Sequence, residues 1–89
     1  MTQATARATL VAYYAAFNAN DPAGMLACVT DDVEHRVNEG ESRFGRGKFV
    51  EFCAHMGVSY RERLDPIEFF VNETGSRGAA EFTVHGEYL

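Results

Sequence analysis

Tyr13 and His35 are the two side chains whose types and positions could carry acid–base chemistry. Tyr13 falls inside an apolar helical stripe, so its hydroxyl needs a hydrogen-bond partner or a wet cavity. His35 alternates with Val33 and Val37, which predicts one shared strand face turned toward the interior. An inward histidine titrates near neutral pH and can give or take a proton. Considered alone, both residues favour a structural role, with Tyr13 packing as an aromatic and His35 donating one hydrogen bond to a carbonyl.

The remaining reactive side chains form no recognisable motif. His35, His55 and His85 lie twenty and thirty residues apart, without the spacing of a metal site. Cys28 and Cys53 fall on or near apolar helix faces and are interpreted as buried thiols rather than a reactive pair. A glycine-rich phosphate loop, a nucleophile elbow and an HExxH motif are all absent. The sequence therefore predicts neither a metal nor a cofactor.

Length and composition restrict the class of protein. The 89 residues allow one small domain, and the net charge of −5 with scattered basic residues argues against a nucleic-acid partner. No apolar run approaches the roughly 18 residues of a membrane span. The first seven residues lack the apolar segment of a secretory signal. With only two cysteines, the chain is expected to be cytoplasmic, with reduced thiols and no membrane contact.

Apolar spacing predicts three helices that would position these side chains. The first covers residues 4–18, and Asn18 and the residues after it end it. Asp21 and Pro22 then start a short second helix over residues 22–29, as N-cap and first helical residue. The third helix covers residues 48–56 and is expected to end at Gly57.

Alternating patterns predict the strands. Residues 33–37 form a first strand, and residues 38–47 form a polar loop. A long strand over residues 60–72 is interrupted at Asp65-Pro66, which implies a bulge or an edge position. A turn over residues 73–78 leads into a returning strand over residues 79–89. Helices early and an antiparallel sheet late indicate an α+β domain.

Three segments in this order resemble a known family. Residues 13–21 (YYAAFNAND), then a short helix and Asp31-Asp32-Val33, are similar to the opening of SnoaL-like and ketosteroid-isomerase-like proteins. These belong to the nuclear-transport-factor-2-like superfamily. Residues 44–49 (FGRGKF) and 79–88 (AAEFTVHGEY) fit the same pattern, so the resemblance covers essentially the whole chain. The nearest branch is the group called ketosteroid isomerase-related.

The resemblance implies a cone, in which a curved antiparallel sheet wraps around three N-terminal helices and leaves an apolar pocket. It also implies a homodimer formed through the outer sheet face, where Thr83, His85 and Glu87 would lie. A glycine at position 86 would widen the pocket for a ring-shaped ligand. The expected contacts of a small hydrophobic ligand are Phe17, Val33, Val37, Asn38, Phe49, Phe52, Met56, Phe82, Val84 and Gly86.

The resemblance also implies a partial catalytic set. Ketosteroid isomerase uses an aspartate base and an oxyanion hole made of a tyrosine and a protonated aspartic acid. The tyrosine corresponds to Tyr13, but the base position falls on Val37 or Asn38, and neither can accept a proton. The third group belongs on a later strand that this chain does not contain. Classical steroid isomerisation is therefore not expected.

His35 is the candidate substitute base, with Tyr13 donating to a developing enolate oxygen. The predicted function is isomerase- or cyclase-type proton transfer on a hydrophobic carbonyl compound. The alternatives are a non-catalytic ligand-binding or dimerisation module, or an inactive fragment. Because the chain stops in a strand pattern at residue 89, we expect a single domain over residues 1–89 that lacks its last strands. An unpaired edge strand would favour self-association.

Overall fold

The computed structural model of the protein describes residues 2–37 and 40–88, with side chains given for these except 58–60 and 88. The described residues form three helices and two antiparallel strand pairs, which confirms the α+β prediction. Their bounds are α1 (Gln3–Asn18), α2 (Pro22–Leu26), β1 (Glu34–His35), β2 (Arg43–Phe44), α3 (Arg46–Ser59), β3 (Tyr60–Val71) and β4 (Gly78–Tyr88). None of the described helices is long and apolar enough to cross a bilayer.

The starts of α1 and α2 follow local capping chemistry. Thr2 and Thr5 form a reciprocal capping box, in which each side chain accepts a hydrogen bond from the backbone N–H of the other. At α2, the Asp21 carboxylate accepts from the N–H of Gly24 at 3.1 Å, and Pro22 takes the first helical turn. The helix is shorter than predicted and ends at Leu26.

Two expectations for the central segment are corrected. Gly57 does not end α3, which starts at Arg46 and continues to Ser59. Gly57 lies inside the helix without a left-handed backbone angle, so it interrupts neither the helix nor its hydrogen bonding. The segment assigned to a loop contains β2, which pairs with a two-residue β1 through Glu34↔Phe44 and His35↔Arg43.

The β3–β4 hairpin carries the predicted bulge. Leu64 pairs with Val84 and Ile67 pairs with Phe82, so β3 has two residues, Asp65 and Pro66, where β4 has one. The extra residue shifts the alternation of β3 by one position, so that Leu64 before the bulge and Ile67 after it share the face of Val84 and Phe82. Val84, Phe82 and their neighbours at every second position of β4 therefore share one face, as predicted.

Helix α1 lies along the edge of β3 that does not face β4. The side chain of Asn18 binds both backbone groups of Leu64, donating to its carbonyl at 2.9 Å and accepting from its N–H at 2.8 Å. Near the other end of the helix, Arg7 donates to the carbonyl of Phe69 at 3.2 Å. Side chains of α1 thus satisfy edge groups of β3 that have no strand partner.

The core lies where the three helices meet. Ala16 of α1, Met25 of α2, and Phe49 and Cys53 of α3 form one buried cluster. Phe49 is its centre, with 2% of its surface exposed. The β1–β2 pair and the β3–β4 hairpin do not pair with each other among the described residues. A space remains between the two hairpins and α3.

Candidate functional site

A cavity of about 790 Å³ occupies this space and is called the large cavity here. Helix α3 and the first hairpin form one side, and the inward face of β3–β4 forms the other. Its volume is in the range of small-molecule sites, roughly 300–1,000 Å³. The lining residues are Phe17, Val37, Gly40, Glu41, Arg43, Phe52, His55, Met56, Glu62, Leu64, Phe82 and Val84.

The large cavity combines an apolar wall with a few polar groups. Glu41, Arg43, His55 and Glu62 are its charged or titratable members. Such a pattern lets an apolar ligand bury its surface while a few polar contacts fix its orientation. Six of the expected ligand contacts line this cavity: Phe17, Val37, Phe52, Met56, Phe82 and Val84.

The other expected ligand contacts lie elsewhere. Phe49 is in the core, and Val33 packs against the buried cluster. Gly86 is not among the residues that line the cavity; it faces Glu62 in the register of the hairpin. Asn38 lies outside the described residues.

A second cavity of about 110 Å³, the small cavity, lies between the α1–α2 turn and α3. Asn20, Asp21, Pro22, Met25, Cys53 and Gly57 belong to the small cavity alone. Four of the described residues line both cavities and therefore lie at their common boundary: Phe17, Phe52, Met56 and Glu62.

His35 packs between aromatic rings behind the large cavity. Its ring centroid lies 4.5 Å from that of Phe52 and 5.3 Å from that of Phe49, edge to face in both cases. Among the described residues, its buried Nδ1 atom has no hydrogen-bond partner. Burial, and secondly the positive charge of Arg43, lower the pKa of His35 below 6.5. The imidazole is therefore neutral at pH 7.

Tyr13 packs on the same core aromatic, Phe49. Its ring centroid is 6.3 Å from that of Phe49 and 5.0 Å from that of Tyr14. Burial is the main cause that raises the pKa of Tyr13 to about 12, so the phenol keeps its proton at neutral pH. Tyr13 and His35 thus flank Phe49, and neither lines the large or the small cavity.

Sequence reasoning missed the polar groups that do line the large cavity. Glu62 precedes the buried Leu64 by two residues on β3, so strand alternation puts both on the inward face. His55 is adjacent to Met56 on α3, and Arg43 belongs to the strand that was assigned to a loop. The alternation of Glu62 with Leu64 was the usable signal, because a carboxylate at an inward strand position is unusual.

The structure also describes the two cysteines and the candidate metal ligands. Cys53 is buried, and burial raises the pKa of its thiol, which lowers its reactivity. Cys28 is partly buried, and its thiol donates to the carbonyl of Gly24 at 3.4 Å. Within residues 2–37 and 40–88, no group of three His, Cys, Asp or Glu side chains could hold a metal ion.

The sequence and fold are similar to those of known proteins. Residues 10–88 match the SnoaL-like domain family. The whole chain superposes on a "putative polyketide cyclase" from Pseudomonas putida with a TM-score of 0.93 and 49% identity, and covers 65% of that chain. A protein of the same description from a Silicibacter species gives a TM-score of 0.93 and 46% identity, again over 100% of this chain and 65% of that one.

Two further comparisons bear on the fold. A third protein with the cyclase description, from Xanthomonas campestris, gives a TM-score of 0.94 and 42% identity, over 97% of this chain and 64% of that one. An NTF2-like protein of unknown function from Burkholderia pseudomallei is 22% identical, with a TM-score of 0.68 over 94% of this chain and 80% of that chain, and supports the fold alone. A search of curated proteins found no match. The chain thus spans about 65% of the length of the first solved relatives.

Proposed function

The chain belongs to the SnoaL-like domain family and has the cone-like α+β fold of NTF2-like proteins, and from this premise we propose that its large cavity binds a hydrophobic carbonyl compound for proton-transfer chemistry of the cyclase or isomerase type. The observation that carries the proposal is the large cavity itself. Its volume of about 790 Å³ and its mixture of aromatic, aliphatic and isolated charged groups suit a ring-containing ligand with one polar end.

The sequence-derived candidates for the proton acceptor and the oxyanion donor are His35 and Tyr13. The neutral imidazole of His35 and the protonated phenol of Tyr13 supply the ionisation states that these roles require. Phe52 lies against His35 and also lines the large cavity. Contact between His35 and a ligand in that cavity therefore requires the Phe52 ring to turn aside.

Thermal unfolding with a panel of steroids and aromatic polyketide ketones tests the proposed binding. A ligand present at 100 times its dissociation constant adds roughly 2.7 kcal/mol to the free energy of unfolding, which raises Tm measurably. Phe82→Asp, on the wall of the large cavity, should abolish the shift, whereas Val11→Asp, exposed on α1, should retain it. A panel without any stabilising ketone would contradict the proposal.

A non-catalytic ligand-binding module is the second candidate function. The observation that favours it is that neither Tyr13 nor His35 lines the large cavity. Under this alternative, ketones would raise Tm but would undergo no proton exchange on the protein. The measurement of exchange described below separates the two functions.

We also propose a homodimer, formed through the outer face of the β3–β4 hairpin, and a cytoplasmic location. The dimer is supported by the exposure of Thr83, His85 and Glu87 on that face. A reducing compartment is supported by the free thiols of Cys28 and Cys53.

A further inference from the structure

Among the residues that the structure describes, Glu62 is the one carboxylate that lines both cavities. Its side chain is partly buried, and it lies at the boundary that the cavities share with Phe17, Phe52 and Met56. A ligand in either cavity can therefore reach this carboxylate. Glu41, the other carboxylate of the large cavity, is exposed in the segment before β2.

Gly86 creates the space in which the Glu62 side chain lies. The two residues are directly paired across β3 and β4. A Cβ atom at position 86 would lie 2.9 Å from Cγ and 3.6 Å from Cβ of Glu62, and 3.4 Å from the carbonyl oxygen of Arg61. Any larger residue at position 86 would therefore force the Glu62 side chain into another rotamer.

We propose that Glu62, which lines the large cavity where His35 does not, is the proton acceptor for a carbonyl compound bound there in place of His35, and that Gly86 is the residue that positions it. The proposal rests on the proposed function and assigns the base within the same site. A strand residue suits this role because its backbone is held by the paired hairpin.

The proposed step balances without a further reactant. A carboxylate oxygen of Glu62 takes the proton from the carbon next to the ligand carbonyl. The C–H electron pair forms the new carbon–carbon double bond, and the carbonyl π electrons move to oxygen to give an enolate. Return of the proton to the same or another carbon yields exchange or isomerisation, and the carboxylate is restored.

Exchange of the α-protons of β-tetralone in deuterated water provides the test, because it reports proton abstraction without knowledge of the natural substrate. Proton NMR follows the loss of the α-proton signal, and saturation-transfer difference spectra report binding. Glu62→Gln should lower the protein-catalysed exchange rate at least about 100-fold while binding persists. Glu62→Asp, which keeps a carboxylate, should recover part of the rate. Glu68→Gln, on the opposite face of β3, is the matched control and should exchange at the wild-type rate.

Gly86→Ala supplies a second test that leaves the carboxylate in the chain. The added methyl group should turn Glu62 away and lower the exchange rate at least about tenfold with the fold retained in circular dichroism. Gly47→Ala is the matched control, because a Cβ at position 47 meets no atom within 4 Å.

The outcomes separate the two proposals. Exchange that persists at the wild-type rate in Glu62→Gln overturns the assignment of Glu62 but leaves proton transfer in place. Exchange that persists at that rate in Gly86→Ala overturns the positioning role of Gly86. Exchange lost in His35→Gln and retained in Glu62→Gln would assign the base to His35 instead. Binding of β-tetralone with no exchange by the wild-type protein would overturn the enzymatic function and, with it, the role of Glu62.

Discussion

Phe49 is the side chain on which the candidate site depends most at the residue scale. It fills the centre of the core, and the rings of Tyr13 and His35 both pack on it. Tyr13 and His35, whose pKa values are shifted by burial, are therefore positioned by one buried ring rather than by a hydrogen bond to each other. The residue types in the sequence identify both side chains, but they could not show that both pack on Phe49.

The pH dependence of stability should report the environment of His35. Its pKa is lowered in the folded protein from 6.5, so between the two pKa values the unfolded chain binds the proton more readily. The free energy of unfolding should therefore rise with pH across the interval just below 6.5, and this contribution is lost as pH falls through that interval. Urea unfolding between pH 5 and 7.5 measures it.

His35→Gln removes the titrating group and should flatten that part of the pH profile. Arg43→Gln, which removes the second cause of the lowered pKa, should narrow the interval without abolishing it. A wild-type profile and a His35→Gln profile of equal slope would contradict the assigned environment.

At the scale of elements, α1 serves the sheet as well as the core. Its side chains bond the free edge of β3, and the contact at Leu64 lies immediately before the bulge. The bulge in turn is bonded on the outer face, where Nε2 of His85 donates to the carbonyl of Asp65 at 2.8 Å. The bulge places Glu62 on the same face as Ile67, which pairs with Phe82. The contacts that hold the bulge therefore help to maintain the wall of the large cavity.

Asn18→Ala should measure how strongly α1 holds this edge. The substitution leaves the N–H and the carbonyl of the buried Leu64 without their side-chain partner. A loss of about 1–3 kcal/mol in the free energy of unfolding is expected, because partly buried backbone groups lose their hydrogen bonds. Urea denaturation followed by circular dichroism gives the value.

Gln3→Ala is the control for that measurement, since Gln3 also bonds a β3 carbonyl but from an exposed position at the helix start. Its cost should be clearly smaller, because water replaces the lost donor. Equal losses in the free energy of unfolding would show that the partly buried Asn18 contact stabilises the fold no more than the exposed Gln3 contact.

At the scale of the whole molecule, two hairpins approach the helices from different sides and leave the large cavity between them. Within the described residues, one long edge of β4 has no strand partner. The outer face of the same hairpin carries exposed polar residues, including the ion pair of Arg61 and Glu87 at 3.1 Å. These surfaces are where contact with a second copy would form.

Analytical ultracentrifugation tests the proposed dimer. Thr83→Arg, at an exposed position of the outer face, should lower the dimer fraction by steric and charge repulsion between the two copies. Ala12→Arg, at an exposed position of α1, should leave it unchanged. A wild-type protein that sediments as a monomer at all concentrations would refute the proposal.

The three helices, the long hairpin with its bulge at Asp65-Pro66 and the inward face of β4 follow from the sequence, because capping, periodicity and proline chemistry are local, whereas β2 was missed. The predicted end of α3 at Gly57 was wrong, since glycine weakens a helix without having to stop it. Only the tertiary structure decided which polar groups reach the large cavity. It packed His35 against Phe49 and Phe52 and outside the cavity lining, and it placed Glu62 on the cavity wall beside Gly86. The physical reason is that these positions depend on the packing of α3 against two separate hairpins, and contacts between residues distant in sequence leave no periodic signal in the chain.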